Sequence, residues 1–571
     1  MKKRKTILLS ILLLLLLIIV VAAILISLHY RKAADTSTGQ DGSTAISPSS
    51  IPETSVSPLP SDVPGKVAEL YPAPRAVDNE IKYGYLDASG NFVLEPVFDS
   101  ASNFYDGAAI VTIDSKYCVI NEKGNIIFIN DNTVSDYRNG LAVFAKFDSS
   151  GNISYGYLDT QGNIVIQPQF ILASNFNSDG KAYISKGSGV YGLVDKTGAI
   201  IESYDLGSKY IYASGIEDGY LVYTSSDTNG QGVLQGVVNM KGEEIFPPKY
   251  GEIIYLGDDL FAMKEPSPDF QVTGTDAKQA IFNAKGQQLS DYVYYDLGTY
   301  YNGYSTATND QSTFFVGTDG KIVADLPKFE GRGTVRLFGD IISASIDGDQ
   351  AYYNRDKAVI WKADNTLQLS DQIKVVQVKY KPLRDVLVKY PQIEGLANPG
   401  VQEQINKKLT SIFTDYRRTI TAQDMISVSD DYSARLMKNL LIIEQTGYDY
   451  YYGAAHGMPI KNYFFIDTNT GVFYELKDLF IEGSDYAVKI NEMINNEITL
   501  ALKSGESMFF EGSFQGITDT QYFRLEEDAV IIYFYPYDIS AYAGGFPEFV
   551  IPFEDVAEYL NREGDFWKAF H

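Results

Sequence analysis

The sequence predicts a mainly β protein: a repeat domain whose short β-meanders form a β-propeller or, as the alternative, a β-solenoid, followed by an α+β domain and preceded by a single transmembrane helix. Three observations predict it. Asp or Asn, two residues, Gly and an apolar stretch recur as 87–90, 121–124, 159–162, 195–198, 239–242 and 283–286, and more weakly as 317–320. The glycines stand 34, 38, 36, 44, 44 and 34 residues apart, and self-similarity at periods of roughly 20–50 residues marks solenoids, propellers and arrays. Helical periodicity replaces this pattern after about residue 371, and an uncharged apolar run occupies Thr6 to Leu28.

That run is the first element. At about 1.5 Å per residue it is long enough to cross a hydrocarbon core of roughly 30 Å. It is longer than the apolar region of a cleaved signal peptide, about 7–15 residues, and Ala22-Ala23 leads into more apolar residues instead of a polar mature start. Residues 1–30 are therefore expected to be an uncleaved signal-anchor with a short cytoplasmic stub. Four basic residues precede the run, against Arg31 and Lys32 after it, which retains the N-terminus in the cytoplasm and places the rest outside. Residues 31–75 hold a Ser-, Thr- and Pro-rich stretch with too few apolar side chains for a core, a tether.

With 47 Lys plus Arg against 73 Asp plus Glu, the net charge is −26. Such a field repels nucleic acid and other polyanions and attracts cationic partners, and it also keeps a large secreted chain soluble. Cys118 is the one cysteine, so neither an intramolecular disulfide nor a thiolate metal site can form.

Residues 76–370 form the repeat domain. Each Asx-x-x-Gly step fits a type I turn with the Asx side chain capping the backbone and Gly taking positive φ, joining antiparallel strands through a bulge. Phe92-Val93-Leu94, Ile164-Val165-Ile166 and Ile322-Val323 read as the strands that follow. Pro96, Pro168 and Pro248 are expected to end the ladder, since proline lacks a donor. A further strand follows each of Gly107, Gly140, Gly180 and Gly219. One such meander cannot bury both faces, so stacking or ring closure must supply the missing contacts. The turns lack the clustered carboxylates that six to eight oxygen ligands to calcium require, and no metal or cofactor is expected.

Tyr83-Gly84, Tyr155-Gly156 and Tyr191-Gly192 resemble the WG-repeat family of bacterial surface and secreted proteins, with Tyr-Gly for Trp-Gly. Cys118 follows Tyr117 at the position of that Gly and is expected to be a small core residue. A degenerate last unit is read at 352–360, with Lys357 at the turn glycine. The resemblance implies an interaction scaffold.

Residues 371–571 form the second domain. Asn398-Pro399 is a capped helix start, and Val401, Ile405, Leu409, Ile412, Phe413 and Tyr416 fall on one face. A second helix follows Ser484-Asp485, with Tyr486, Ile490, Met493, Ile494 and Ile498 inward. Strands are read at 440–444, 462–466 and 529–535, giving helices on an antiparallel sheet. The segments 390–395, 401–406, 453–457, 467–480 and 535–545 resemble the extracellular sensor module of the lysozyme-sensing anti-sigma factor and the non-catalytic N-terminal domain of certain peptidoglycan deacetylases. The resemblance implies recognition of a basic protein such as lysozyme. Two departures bear on it. Five predicted cytoplasmic residues are too few to bind a sigma factor, and the clustered Asp and two His of a deacetylase metal site are missing.

His456 lies in a Gly-rich loop after Tyr450-Tyr451-Tyr452 and has no visible triad or HxxxH companion. Tyr451, Tyr452, His456, Tyr537 and Tyr542 are the candidate binding rim, tyrosine being enriched at interface hot spots as well as in ordinary strands. No GxSxG elbow, P-loop, HExxH or dinucleotide fingerprint occurs. The expected function is a membrane-anchored extracellular binding or sensor protein of the bacterial cell envelope, recognising a protein or cell-wall ligand without catalysis. The alternative is a peptidoglycan- or glycan-acting hydrolase using carboxylates from separate repeats.

Overall fold

The structure, a computed structural model, describes residues 69–77, 80–207, 216–226, 233–264, 277–505, 507–518 and 520–571. The anchor expected at 1–30 and nearly all of the tether lie outside the described residues. Among the described residues no helix is long and apolar enough to cross a membrane.

The repeated turn forms as its residue types require. At the first, the Asp87 carbonyl accepts from Gly90 N at 3.1 Å, and Asp87 Oδ1 accepts from Ser89 N at 2.8 Å and Asn91 N at 3.0 Å. Gly90 takes φ 85°, where a side chain would be strained. Oδ1 of Asn121, Asp159, Asp195, Asn239 and Asn283 likewise accepts from the backbone amides two and four residues on. In the degenerate unit Asn354 Oδ1 still accepts from Ala358 N at 2.8 Å, and Lys357 occupies the glycine position at φ 65°.

These turns organise eight successive antiparallel sheets of three or four strands, spanning 71–98, 100–130, 141–170, 172–205, 216–250, 253–283, 304–330 and 333–362 among the described residues. The first strand, Tyr71–Val77, starts inside the segment read as tether. Strand alternation sends adjacent residues into different cores. Val119 packs toward the third sheet with Ala142 and Phe144, whereas Cys118 and Ile120 pack toward the first with Tyr85 and Leu94. Val238 joins Tyr191 and Leu221 of the fourth and fifth sheets, while Val237 joins Phe261 and Met263 of the sixth. The series returns on itself: Tyr71, Ala73 and Leu86 of the first sheet share a core with Ile341 and Tyr352 of the eighth. There the Tyr352 hydroxyl donates to the Pro72 carbonyl at 2.7 Å, and Gln350 Nε2 donates to the same oxygen at 2.8 Å.

The prolines do not end the ladder. Tyr83 pairs with Phe98 and Tyr85 with Leu94, so the single residue Gly84 faces the three residues 95–97, and Pro96 sits in the middle of them. Pro168 and Pro248 sit in the same irregularity of their strands, a bulge being where a missing donor costs no ladder bond. The bulge also accounts for the repeat glycine. A Cβ on Gly84 would collide with the Leu94 carbonyl oxygen and lie 2.8 Å from Pro96 N. Strand 126–130 has no such proline, and Cys118 opposite it is buried in the core with its thiol pushed up by burial.

The C-terminal part is built on a seven-stranded sheet running from 367 to 474 in strand order. It departs from the all-antiparallel expectation at one place. The strand Val386–Glu394 runs parallel to Ile426–Met437, and the crossover that a parallel pair needs contains helix α1, Pro399–Thr414. Asn398 caps it by accepting from Gly400 N and Val401 N, with Pro399 in the first turn. Its buried Ile405, Leu409 and Phe413 cover one face of the sheet with Leu441, Ile443 and Ile466. Leu440, Ile442 and Phe465 point to the opposite face. They meet Ile490, Ile494 and Ile498 of helix α2, Tyr486–Ser504, and a three-stranded sheet that includes Ala529–Tyr533.

Arg332 of the repeat domain joins the two parts. Its Nε and Nη2 donate to Asp296 at 2.8 Å each, and its Nη1 donates to Asp385 of the C-terminal part at 2.8 Å. Lys379 and Lys381 pair with Asp349 and Asp347 of the eighth sheet.

Candidate functional site

The strands Leu440–Tyr451 and Met458–Asp467 form a long hairpin, and its tip carries 452–457. Alternation puts Tyr448 and Tyr450 on one face and Asp449 and Tyr451 on the other. The tip folds over Gly457. Its amide donates to the Tyr448 hydroxyl at 2.9 Å, and its carbonyl accepts from the Tyr542 hydroxyl at 2.9 Å. A Cβ there would lie 2.5 Å from both the Asp449 carbonyl and the Tyr448 ring, so the tip needs glycine.

His456 stacks on Tyr542 with centroids 3.8 Å apart and planes 25° from parallel. Its Nδ1 stands 3.0 Å from the Gly457 carbonyl, and its Nε2 stands 2.9 Å from the Tyr537 hydroxyl. A carbonyl only accepts, so the neutral imidazole carries its proton on Nδ1 and accepts the Tyr537 hydrogen on Nε2. Both ring nitrogens are thereby engaged in hydrogen bonds. The Tyr542 hydroxyl is raised above its ordinary value by its hydrogen bond with Tyr448 and stays neutral.

Tyr537 is half-exposed and has φ 75°, a left-handed conformation that costs a side-chain-bearing residue about 1–3 kcal/mol. Neighbouring bonds hold it: Tyr537 N donates to Ser540 O at 3.1 Å, and Tyr535 N donates to Asp538 Oδ2 at 3.0 Å. The strained backbone presents the ring outward beside His456.

The five residues chosen from sequence therefore divide. His456, Tyr537 and Tyr542 come together from positions more than 80 apart. Tyr451 is exposed on the other face of its strand. Tyr452 turns away from the imidazole: its ring packs on Tyr450 at 6.0 Å, and its hydroxyl is buried within electrostatic range of Arg332. Tyr448 completes the cluster and was not chosen. The alternation Tyr448-x-Tyr450 was the available signal, because it separates these two from Asp449 and Tyr451. Among the described residues no group of three or more His, Cys, Asp or Glu stands close enough to hold a metal ion.

The chain is thus a mainly β repeat protein that ends in helices and sheets around a two-faced core. It carries WG-containing repeats, matched at 83–117, 155–188 and 236–265, and at its C-terminal end a domain of the family described as "Protein of unknown function (DUF3298)", matched at 477–554. Tyr537 and Tyr542 lie inside that last match and His456 precedes it. A DUF3298 family member from Bacteroides fragilis NCTC 9343 is 19% identical with a TM-score of 0.27, over 33% of this chain and 93% of that one. A DUF3298 family protein from Pseudomonas aeruginosa PAO1 is 20% identical with a TM-score of 0.26, over 35% of this chain and 96% of that one. BamB from Moraxella catarrhalis is 12% identical with a TM-score of 0.28, over 50% of this chain and 94% of that one. No curated protein matches.

Proposed function

We propose that the chain is a non-enzymatic binding protein of the bacterial cell envelope, a β-propeller of eight blades on a membrane-anchored tether, presenting a hairpin-tip rim that recognises a protein or wall ligand. The contact between first and eighth sheets supports a propeller over a solenoid, since a solenoid leaves its ends apart. The basic stub and the uncharged run from Thr6 to Leu28 support the anchor and the extracellular placement.

One observation carries the binding reading: the exposed, strained Tyr537 beside a His456 whose two nitrogens are already engaged. An imidazole so engaged orients neighbouring rings, and half-exposed tyrosines suit recognition. The net charge of −26 favours a cationic partner, lysozyme being the one to try first. Calorimetric titration of lysozyme into the full chain is expected to show binding that weakens from about 10 mM to about 150 mM salt and drops by about tenfold or more in Tyr537→Ala. No heat at low salt, or equal affinity in that variant, sinks the reading.

A further inference from the structure

Side chains from four repeats, the second, third, seventh and eighth, meet in one cluster remote in sequence from the hairpin tip. Tyr105 and Arg138, from the second and third repeats, meet Tyr301 and Arg336, from the seventh and eighth. The Arg138 guanidinium lies 4.3 Å over the Tyr105 ring, Arg336 lies 5.5 Å over Tyr301, and the two rings meet edge to face at 6.3 Å. Arg336 Nη1 donates to the Tyr105 hydroxyl at 2.9 Å, which fixes the guanidinium plane while committing only one of its N–H groups. Asp136 is in electrostatic contact with both arginines.

Beside this cluster is a cavity of about 330 Å³. Its wall combines three kinds of group: the Arg336 cation, the rings of Tyr301 and Phe338, and the polar side chains of Asn103, Thr299 and Ser343. Tyr301 and Phe338 pack together at 5.4 Å, forming one aromatic side. Ligand cavities run from roughly 300 to 1,000 Å³, so this one suits a ligand of monosaccharide or dipeptide size. A guanidinium pairs with an oxyanion through parallel N–H bonds. Arg336 is the single cation among the residues lining the cavity, and one such charge matches a singly charged carboxylate better than a doubly charged phosphate.

We propose that this cavity binds a small monocarboxylate, its carboxylate on Arg336 and its body between the aromatic side and the hydroxyl and amide groups. The carboxylate has two chemical sources, a sugar acid or a peptide terminus.

Calorimetry on the full chain separates them with four probes: D-glucuronate, D-glucose, glucose 6-phosphate and L-alanyl-L-alanine. At least one of glucuronate and the dipeptide is expected to bind, and whichever does identifies the source. Glucose is expected to bind about tenfold or more weakly than glucuronate or not at all, and glucose 6-phosphate no more tightly than the better carboxylate. Arg336→Gln is expected to lose about tenfold or more in affinity. Because that change also removes the bond to Tyr105, Thr334→Phe, at an exposed residue on the cavity wall, provides an independent block and is expected to abolish binding. His456→Ala is expected to leave it unchanged, so failure here and failure of the hairpin-tip reading are separate results. Neither carboxylate binding at millimolar concentration, glucose or the phosphate binding more tightly than both, or full affinity in Thr334→Phe would overturn the proposal.

Discussion

In the repeat domain, each core is shared by two neighbouring sheets, as where Val119 meets Ala142 and Phe144. In the C-terminal module, four consecutive residues likewise divide between two cores, Leu440 and Ile442 on one face and Leu441 and Ile443 on the other, but the first of these cores gathers segments from 440 to 570. The repeat domain repeats a local solution, a capped turn and a two-sheet core, so damage in one unit reaches mainly its neighbours. The module depends on contacts between distant segments, and it also buries ions. Arg417, 1% exposed, donates to both oxygens of the fully buried Asp430 at 2.8 and 3.0 Å, and to Asp449 at 2.7 Å. One region is forgiving by construction, the other by construction is not.

The sharpest break of this contrast is Arg417→Ala. Two carboxylates lose their shared cation, and breaking a buried pair from one side costs about 3–5 kcal/mol. Burial already pushes the Asp430 carboxyl up, against the pull of Arg417. Without the arginine it rises further, so the variant binds more protons folded than unfolded. The contribution of Asp430 to stability is then complete below an ordinary aspartate value of about 3.9 and is lost as pH rises through the folded one. Hydrogen exchange followed by mass spectrometry should show the module opening while the amides of 100–205 stay protected; simultaneous loss in both would abolish the distinction.

Next in size is Gly84→Ala against Gly192→Ala. The first places a methyl against the Leu94 carbonyl in the proline bulge. The second meets the flexible end of Ile184 at 3.0 Å and the Glu202 carbonyl at 3.5 Å. The expected losses are about 1–3 kcal/mol for the first and under about 1 kcal/mol for the second, read from denaturant midpoints. Equal losses would show that the bulge is not what demands glycine.

The junction between the two regions gives a third test. Burial alone would raise Asp296, yet the hydrogen bonds and charge of Arg332 overcome it and hold the carboxyl below its usual range. Its contribution is therefore complete above an ordinary aspartate value of about 3.9 and is lost as pH falls through the depressed one. Asp347 N, bonded to the Arg332 carbonyl at 2.8 Å, should lose exchange protection in that acid window, and Asp296→Asn should loosen it at neutral pH. Unchanged protection in that variant would remove Asp296 from the clamp.

The smallest effect is expected at Lys357. Its φ of 65° suits glycine, but its ammonium donates to the Lys328 carbonyl at 2.7 Å and lies 5.0 Å over the Phe329 ring. Relief of strain and loss of these contacts oppose each other, so Lys357→Gly should shift the melting free energy by no more than about 1 kcal/mol. A larger loss would mean that the last unit is held by its side chain and not by its turn.

Much of this was legible in sequence for a local reason. Asx-x-x-Gly turns and the Asn398-Pro399 cap are decided within a few residues, so their spacing carried over directly into hydrogen bonds. The role of Pro96 was not legible, because whether a proline ends a strand or occupies a bulge depends on the partner strand. The candidate site was legible in part. His456, Tyr537 and Tyr542 stood out by residue type, but Tyr451 and Tyr452 point elsewhere, and Tyr448 went unnoticed because only strand direction tells which tyrosines share a face.

The sequence alone determined the repeat period, the turn chemistry, the alternating strands and the start of α1, since each rests on backbone preference or on periodicity along one segment. Only the tertiary structure decided that the eighth sheet packs on the first, that Arg332 joins the repeats to the module, and that an imidazole at one hairpin tip meets tyrosines more than 80 residues away. Those contacts join residues whose separation along the chain carries no periodic signal, so nothing short of the folded chain encodes them.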